Sequence, residues 1–367
     1  MKHTYCSIVV FLCVLASCTQ MPKESNESKD VDIVYRTYHI DSKSFTHPST
    51  SLYFIGSAKY HGQYFCLFEE IFLDTIRNSC SHIFSISSTD SKVNEVHMPD
   101  NISFIHPQLF VRNDSLLIIS SINDRYCIID TICGDNKLPI WKLKRIQSIS
   151  SIVYEDKDFC VKFTDKGEWG QFMSFIDKSD YQEHLYMCWG KVFKQQDGYY
   201  LCSNEAISRI SNPKEGIVHP SGEDYYNYYE KPVSHPEILF SPSDPDILLN
   251  AFFIHNDTIY MLETYKDSTF LSKFDGQGVS RIKLLEQRVS YIFSSSLGKD
   301  YIGYGDTYNF INKSKDDDGH FGIIDIDGNQ MTIVNLLTNQ PSGDNDKIDA
   351  LIESSKRIEY VKFTPPN

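Results

Sequence analysis

The sequence predicts an all-β protein, a six-bladed β-propeller with a short C-terminal helix. Two observations predict it: a turn-and-strand pattern that recurs along the chain, and 23 tyrosines and 23 phenylalanines among 367 residues. Aromatic side chains favour strands over helices. Hydrophobic residues make up 41% of the chain, which is enough for a large core and excludes global disorder. Helical periodicity is almost absent between the predicted strands, which argues against an α/β architecture.

Six copies of a polar turn followed by an apolar strand set the predicted architecture. In the clearest pair, residues 110–128 and 253–271, Asp114 recurs as Asp257 at an offset of 143. The six strands cover residues 64–67, 116–119, 159–162, 199–202, 259–262 and 301–304. Their turns recur every 40–60 residues, and propeller blades are about 40–50 residues long. Each strand is apolar at almost every position, as expected of a strand that is buried on both faces.

The two ends of the chain are expected to close the ring of blades. Residues 31–40 and 358–363 both have strand-like patterns, and a strand from one end is expected to complete the sheet at the other. The sequence leaves open which end supplies that strand. The predicted helix covers residues 346–357, in which Ile348 and Leu351 lie at helical spacing.

The first 30 residues have the pattern of a lipoprotein signal and a tether. Residues 6–15 form an apolar run, too short for a bilayer, which needs about 20 residues, but typical of a signal-peptide core. The run ends in Leu15-Ala16-Ser17-Cys18, which resembles the lipobox of bacterial lipoproteins and implies acylation of Cys18. An ordinary secretory signal with a chance cysteine is the alternative. The expected organisation is a signal peptide at 1–17, a flexible tether at 18–30 and the propeller at 31–367.

The layout of the chain resembles a known group of proteins. The lipobox, the polar tether, the six repeats and the terminal helix together resemble the TolB-like, six-bladed β-propeller lipoproteins of Bacteroidetes. The resemblance rests on repeat pattern and layout, and it implies a fold and an envelope location without supplying a catalytic residue. Thr19 stands where some bacteria use aspartate to retain lipoproteins in the inner membrane. We therefore expect a lipid-anchored protein of the outer membrane, and the leaflet stays open.

Composition and motif searches argue against several classes of function. The formal net charge of −14 disfavours nucleic acid as a partner, because a polyanion would be repelled. No G-x-S-x-G, H-E-x-x-H, Walker or G-x-G-x-x-G motif is present. Seven cysteines follow residue 18 without metal-like spacing, so neither a disulfide framework nor a zinc site is expected. Asp327-Gly328 is better explained by a hairpin turn than by calcium binding. No metal and no cofactor are expected.

The best candidates for a binding site lie in the longest insertion, residues 212–250, between the fourth and fifth repeats. It holds six of the 14 prolines and is expected to be a long loop without regular structure. The candidate ligand-binding residues are His219, Tyr225, Tyr226, Tyr228, Tyr229 and His235. Tyrosine side chains suit sugars or protein partners. A loop that merely covers the propeller is the alternative. Trp169 and Trp189 could stack on a glycan, but the favoured interpretation for each is buried packing between blades.

The sequence favours a binding protein over an enzyme. The leading hypothesis is a non-enzymatic, membrane-anchored propeller that binds a glycan, a peptide or an envelope protein at one face. An enzyme that processes glycans or peptides is the first alternative, because propellers gather carboxylates and histidines from different blades where linear motifs miss them. A scaffold subunit of an envelope complex is the second, and a large exposed apolar patch would support it.

Overall fold

The computed structural model is an all-β protein whose strands form a series of separate sheets. It describes residues 31–40, 50–72, 79–87, 92–97, 105–112, 114–123, 126–134, 151–165, 171–219, 234–289, 293–294, 297–298, 301–304, 307–312 and 320–338. The chain divides into two compact units, residues 1–31 and 32–367, and all of the described strands belong to the second. In the described part of the chain, no helix is long and apolar enough to span a membrane.

Twenty-seven strands are described, numbered here in chain order. The first fourteen are β1 (Asp32–Ile40), β2 (Thr50–Tyr60), β3 (Gln63–Phe72), β4 (Ser79–Ser87), β5 (Val93–Val96), β6 (Ile105–Arg112), β7 (Ser115–Asn123), β8 (Tyr126–Cys133), β9 (Ser151–Glu155), β10 (Phe159–Asp165), β11 (Gln171–Asp177), β12 (Glu183–Met187), β13 (Lys191–Gln195) and β14 (Gly198–Cys202). The others are β15 (Ile207–Ile210), β16 (Ile217–His219), β17 (Glu237–Phe240), β18 (Ile247–His255), β19 (Thr258–Tyr265), β20 (Ser268–Phe274), β21 (Val279–Leu284), β22 (Phe293–Ser294), β23 (Leu297–Gly298), β24 (Tyr301–Tyr304), β25 (Thr307–Asn312), β26 (His320–Asp327) and β27 (Gln330–Thr338).

Most sheets are antiparallel and built from consecutive strands. Sheet 1 contains β2–β5, sheet 2 contains β6–β8, and sheet 5 contains β18–β21. Sheet 3 has the order β16-β12-β11-β10-β9, and sheet 4 has the order β13-β14-β15-β17. A closing sheet has the order β1-β27-β26-β25-β22, and β23 pairs only with β24. Four-stranded antiparallel sheets of this kind are typical of propeller blades.

The closing sheet joins the two ends of the described chain. β1 lies parallel to β27, with Asp32 opposite Gln330 and Ile40 opposite Thr338. The strand that completes this sheet therefore comes from the N-terminal side of the chain. The predicted helix at 346–357 and the predicted strand at 358–363 lie outside the described residues.

The repeat pattern predicts all six strands. β3, β7, β10, β14 and β19 each follow a predicted turn and lie second from one end of their sheets. Residues 301–304 form β24, which pairs with β23 outside the closing sheet, and the central strand of the closing sheet is β26. A turn-and-strand pattern is local and does not specify which strands join the same sheet. The number of blades therefore stays a prediction.

Neighbouring sheets pack face to face through apolar side chains. Separate clusters join the closing sheet to sheet 1, sheet 1 to sheet 2, sheet 3 to sheet 4, and sheet 4 to sheet 5. β14 is buried at all five positions, as predicted for a strand between two sheets. Cys66 and Cys202 lie in these clusters as small apolar side chains, and burial raises the pKa of both thiols.

Polar groups also connect the closing sheet to sheet 1. The Tyr64 hydroxyl donates to Asp325 Oδ2 at 2.6 Å, and Lys59 Nζ lies 2.8 Å from the same oxygen. Burial and the Asp325 carboxylate both raise the pKa of Tyr64, so its hydroxyl stays protonated and remains a donor. Asp327 belongs to the hairpin between β26 and β27, where it is opposite Gln330, so the predicted hairpin turn is confirmed.

Candidate functional site

The tyrosine-rich segment, residues 220–233, is attached at both of its ends to one strand of sheet 3. β16 pairs antiparallel with β12 and places His219 opposite Glu183. After residues 220–233, which lie outside the description, Ser234 forms a parallel bridge with Tyr186. Its carbonyl accepts a hydrogen bond of 2.9 Å from the next backbone N–H along β12. The two attachment points are three positions apart on β12, roughly 10 Å along the strand. The segment therefore begins and ends on the same outer edge.

The expectation that residues 212–250 lack regular structure was wrong in part. The segment contributes a fifth strand, β16, to sheet 3, and then the fourth strand, β17, to sheet 4. Its last residues begin β18 in sheet 5. The sequence did not indicate these strands because β16 and β17 are only three and four residues long and lie among prolines. Proline lacks a backbone N–H. An edge strand tolerates proline nearby because one side of the strand makes no hydrogen bonds to another strand.

A single 3-10 turn, Pro213–Glu215, fixes the entry of the segment into β16. Asn212 caps it, because its side-chain oxygen accepts the backbone N–H of Lys214 at 3.2 Å. The Lys214 ammonium pairs with the buried carboxylate of Asp177, and this contact lowers the pKa of Asp177. The Tyr186 hydroxyl donates to the carbonyl of Asn212 at 3.2 Å. A cap, an ion pair and a hydrogen bond thus hold the entry in one conformation.

Tyr186 and Gly216 make the base of this entry. Burial raises the pKa of Tyr186 to about 12, and the nearby Glu215 carboxylate adds to the rise. The hydroxyl therefore stays protonated and donates at neutral pH. A Cβ on Gly216 would fall 2.6 Å from the Tyr186 ring, so glycine is required there. His184 Nδ1 lies 3.5 Å from the Gly216 carbonyl oxygen on the same side of the strand.

The structure places two of the predicted binding residues and leaves the others outside the description. His219 is half-buried at the end of β16, and His235 is exposed just before β17. His219 pairs with Glu183, and Ser234, the residue before His235, pairs with Tyr186. The two histidines are therefore attached about three positions apart along β12. Tyr225, Tyr226, Tyr228 and Tyr229 lie outside the described residues, as does Cys18. Trp189 packs against the cluster between sheets 3 and 4, and Trp169 is outside the description.

The sequence did not single out the exposed apolar side chains beside this segment. Tyr181, in the turn before β12, is 82% exposed, and Val218 on β16 is 47% exposed. Tyr181 has a positive φ of 60°, an uncommon conformation for a non-glycine residue. Together with His219 they form what we call the β12 rim. The hydropathy of the sequence does not predict that Tyr181 and Val218 are exposed, because their exposure depends on which strand β16 pairs with.

The second half of the insertion, residues 212–250, gives sheet 4 its outer strand. β17 pairs with β15, and Arg209 on β15 bridges Glu237 and Asp197, each at 2.7 Å. Ile238 on β17 is 67% exposed. In the described part of the chain, no strand pairs with the other edge of β17. Exposed apolar and acidic side chains thus share this strand.

Two clusters of reactive groups lie away from the segment, and both are buried. His82 lies between Glu70 and Glu95, with Nε2 3.3 Å from Glu70 Oε2 and Nδ1 3.1 Å from Glu95 Oε1. The His82 side chain is 8% exposed. The cluster therefore connects β3, β4 and β5 and offers little access to a substrate.

The second cluster joins the first strands of sheets 4 and 5 to the closing sheet. Lys191 Nζ donates to the Tyr308 hydroxyl at 3.0 Å, and that hydroxyl donates to the carbonyl of Phe252 at 2.6 Å. Ala251 has a φ of 50° at the bulge that turns this carbonyl. Lys191 and Tyr308 are 6% and 4% exposed. Among the described residues, no group of three His, Cys, Asp or Glu side chains could hold a metal ion.

Comparison with known proteins finds a distant similarity to β-propeller domains and no family. No protein-family model matches the sequence, and the search of curated proteins finds no match either. One similar structure comes from a study titled "Structural and Mechanistic Analysis of Two Prolyl Endopeptidases", with 8% identity and a TM-score of 0.39. It covers 78% of this chain and 50% of that chain. A puromycin-hydrolysing peptidase of Mycobacterium tuberculosis has 8% identity and a TM-score of 0.41, covering 77% of this chain and 52% of that one.

A third similar structure is a propeller domain on its own. It is the β-propeller domain of the Trilobed protease from Pyrococcus furiosus, with 10% identity and a TM-score of 0.34. It covers 83% of this chain and 99% of that chain. The chain spans about half the length of the first two structures. These likenesses are a distant similarity to β-propeller domains, and they concern the fold alone.

Proposed function

We propose that this chain is a membrane-anchored lipoprotein of the cell envelope whose propeller binds a partner without catalysing a reaction. Cys18 is the proposed lipid attachment site, with residues 18–30 as the tether to the outer membrane. The lipobox pattern supports the anchor, since several acyl chains hold a protein stably on a bilayer. The partner is a protein, a peptide or a glycan of the envelope, and the binding site is the β12 rim with the tyrosine-rich segment.

We also propose that the propeller has six blades and belongs with the TolB-like lipoproteins of Bacteroidetes. Five predicted turn-and-strand copies lie second from one end of five separate sheets, and the closing sheet is a sixth, which supports six blades. The proposed helix at 346–357 follows the closing sheet. The parallel pairing of β1 with β27 supports a single ring that is completed by a strand from the N-terminal side.

The observation that carries the binding proposal is the attachment of both segment ends to β12. His219 and Ser234 are fixed three positions apart on that strand, and 14 residues with four tyrosines connect them. A segment with close, fixed ends loses less conformational entropy on binding than a free one. The exposed Tyr181 and Val218 lie beside these ends. Amphipathic tyrosine side chains on a fixed frame are typical of protein recognition.

The described reactive groups give an enzyme less support. Catalytic acids and bases must reach a substrate, and the His82 and Lys191 side chains are 8% and 6% exposed. Each instead holds strands or sheets together through hydrogen bonds. The most exposed side chains at the rim, Tyr181 and Val218, are aromatic and aliphatic, and such groups suit contact with a partner.

The proposal is tested by replacing Tyr225, Tyr226, Tyr228 and Tyr229 together with serine in the full lipoprotein. Cross-linking in intact cells, followed by purification in detergent, identifies the proteins and glycans attached to each version. We expect the quadruple variant to lose at least about 90% of the specific cross-linked product, since aromatic anchors dominate binding energy. A matched control changes Ile282→Ser and Leu284→Ser on β21, which are 39% and 57% exposed. Unchanged products in the quadruple variant would show that the site lies elsewhere.

A further inference from the structure

The outer edge of sheet 4 forms a second surface with its own chemistry. The loop from β17 to β18 folds against the turn between β14 and β15, because Ser241 Oγ donates to the Glu205 carbonyl at 3.0 Å and the Leu249 amide to the Asn204 carbonyl at 3.1 Å. We define the β17 edge as Glu205, Ile238, Asp244, Asp246 and Leu248. Antiparallel pairing places the turn and the loop at the same end of the sheet.

The β17 edge combines apolar and acidic groups. Ile238 and Leu248 are 67% and 44% exposed. Glu205 and Asp246 are exposed, and Asp244 is half-exposed. The Asp244 side chain accepts a hydrogen bond of 2.9 Å from the backbone N–H of Asp246. Lys266 lies near this edge; its contact with Tyr265 raises its pKa, and Asp244 and Asp246 add to the rise. Arg209 on the neighbouring strand is already paired with Glu237 of β17 and with Asp197. Among the described residues here, Glu205, Asp244 and Asp246 therefore outnumber Lys266, and the edge is negative.

We propose that the β17 edge binds an extended, cationic segment of a partner polypeptide that carries apolar side chains at alternate positions. The proposal specifies the kind of partner that the second half of the insertion binds, and it rests on the proposed binding function. Such a segment would add a strand to the outer edge of β17, where main-chain hydrogen bonds provide affinity. Its apolar side chains would cover Ile238 and Leu248. Its basic side chains would approach Glu205 and Asp246.

Charge selects this occupant over a membrane surface. An anionic lipid headgroup would be repelled by the carboxylates of Glu205, Asp244 and Asp246. The chain itself contains a strand of the required kind, β21, which has Arg281 and Lys283 alternating with Ile282 and Leu284. β21 is already the outer strand of sheet 5, so it serves as a guide to the partner's pattern.

The test measures binding of a defined peptide to the full lipoprotein in neutral detergent. The probe is a fluorescent peptide of residues 279–285, which carries two positive charges and the apolar alternation of β21. Fluorescence anisotropy compares the unaltered protein with the double variant Glu205→Lys and Asp246→Lys. We expect the double variant to weaken binding by at least about tenfold, and a peptide with Arg281→Glu and Lys283→Glu to show no binding.

A matched control applies the same charge change at the other end of the sheets. Asp158→Lys and Asp257→Lys alter exposed residues in turns that follow the first strand of sheets 3 and 5. The β14–β15 turn follows the second strand, and successive turns of an antiparallel sheet lie at opposite ends. The control double variant is expected to change affinity by less than about twofold. Circular dichroism spectra and melting curves confirm that each variant is folded.

Four outcomes would overturn the proposal. No binding of the peptide would do so, and so would equal weakening by both double variants, which would reflect attraction to the overall negative charge. Binding of phosphatidylglycerol vesicles to the β17 edge would assign the edge to a membrane. Self-association of the full chain that Lys283→Glu abolishes would assign it to a second copy. The tyrosine variants leave Glu205 and Asp246 intact, so failure of the β12 rim proposal and failure of this one are distinguishable.

Discussion

β1 and β21 are both outer strands of their sheets, and they differ in almost every other respect. β21 follows β20 directly and is exposed at five of its six positions. β1 pairs with a strand about 300 residues away in the chain, and Tyr38 and Ile40 on it are 3% and 1% exposed. Position at the edge of a sheet therefore does not decide burial. A strand becomes buried when its side chains reach the neighbouring sheet.

The packing of sheet 1 against the closing sheet explains the difference. Tyr38 and Ile40 belong to a cluster that also contains Phe54, Phe68 and Phe321. The Phe321 ring lies 5.9 Å from Phe54 and 5.8 Å from Phe68, at distances typical of aromatic pairs. In the described part of sheet 5, Ile282 and Leu284 remain exposed. The two outer strands are thus a closing strand and a free edge.

The largest effect is expected from truncating the closing strand. Ile40→Ala should lower the free energy of unfolding by about 2–5 kcal/mol, because it removes buried methyl groups and leaves a cavity. Leu284→Ala, at the corresponding outer strand of sheet 5, should change it by less than about 0.5 kcal/mol. Urea unfolding followed by tryptophan fluorescence measures both. Equal losses in the two variants would mean that β21 is as buried as β1, contrary to the structure.

The same comparison shows how much of the fold was predictable. The strand-like pattern of residues 31–40 predicted a strand, and the repeats predicted six strands from local turn chemistry. β1 pairs with β27, which joins residues 32–40 to residues 330–338. No local sequence pattern specifies a pairing over that distance in the chain. Residues 301–304 illustrate the limit. Their apolar run predicted a strand correctly, but it is β26 that pairs with β27.

A smaller effect is expected from crowding the closing sheet. Gly322 on β26 is opposite Phe310, and a Cβ there would overlap the Phe310 ring and the Val334 carbonyl oxygen. Gly322→Ala should therefore lower the free energy of unfolding by about 1–3 kcal/mol. A Cβ on Gly278, at the start of β21, would have no atom within 4 Å.

The control for this prediction is Gly278→Ala, which should change the free energy of unfolding by less than about 1 kcal/mol in either direction. Thermal melts of both variants give the comparison. If the Gly322→Ala variant melts at the same temperature as the unaltered protein, the closing sheet is less tightly packed around Gly322 than the structure indicates.

The candidate site was predictable only in its location. Proline and tyrosine content singled out residues 212–250, and His219 and His235 flank the segment that β12 holds at both ends. Tyr181 was missed because it lies 31 residues before the segment's first residue and becomes its neighbour through the pairing of β12 with β16. Composition identifies a segment, whereas pairing decides what surrounds it.

The smallest effect concerns the turn that leads into β21 and its dependence on pH. The Asp275 carboxylate accepts the backbone N–H groups of Gln277 at 3.0 Å and Gly278 at 2.9 Å, and these hydrogen bonds lower the pKa of Asp275. A carboxyl with a lowered pKa in the folded state stabilises that state above its unfolded pKa, about 3.9. This stabilisation is lost as the pH falls below that value toward the lowered pKa.

Protection of the β21 amides against hydrogen exchange, corrected for intrinsic rates, should therefore decrease below about pH 4 in the unaltered protein. Asp275→Asn keeps an oxygen acceptor for the same two N–H groups but does not titrate, so its β21 protection should not change with pH in this range. The amides of β1, which pair with β27, belong to a different sheet from this turn and serve as the internal reference. An identical pH response of β21 in both proteins would mean that Asp275 does not hold the turn, and that the ladder to β20 and the ion pair of Arg281 with Glu263 secure the free edge without it.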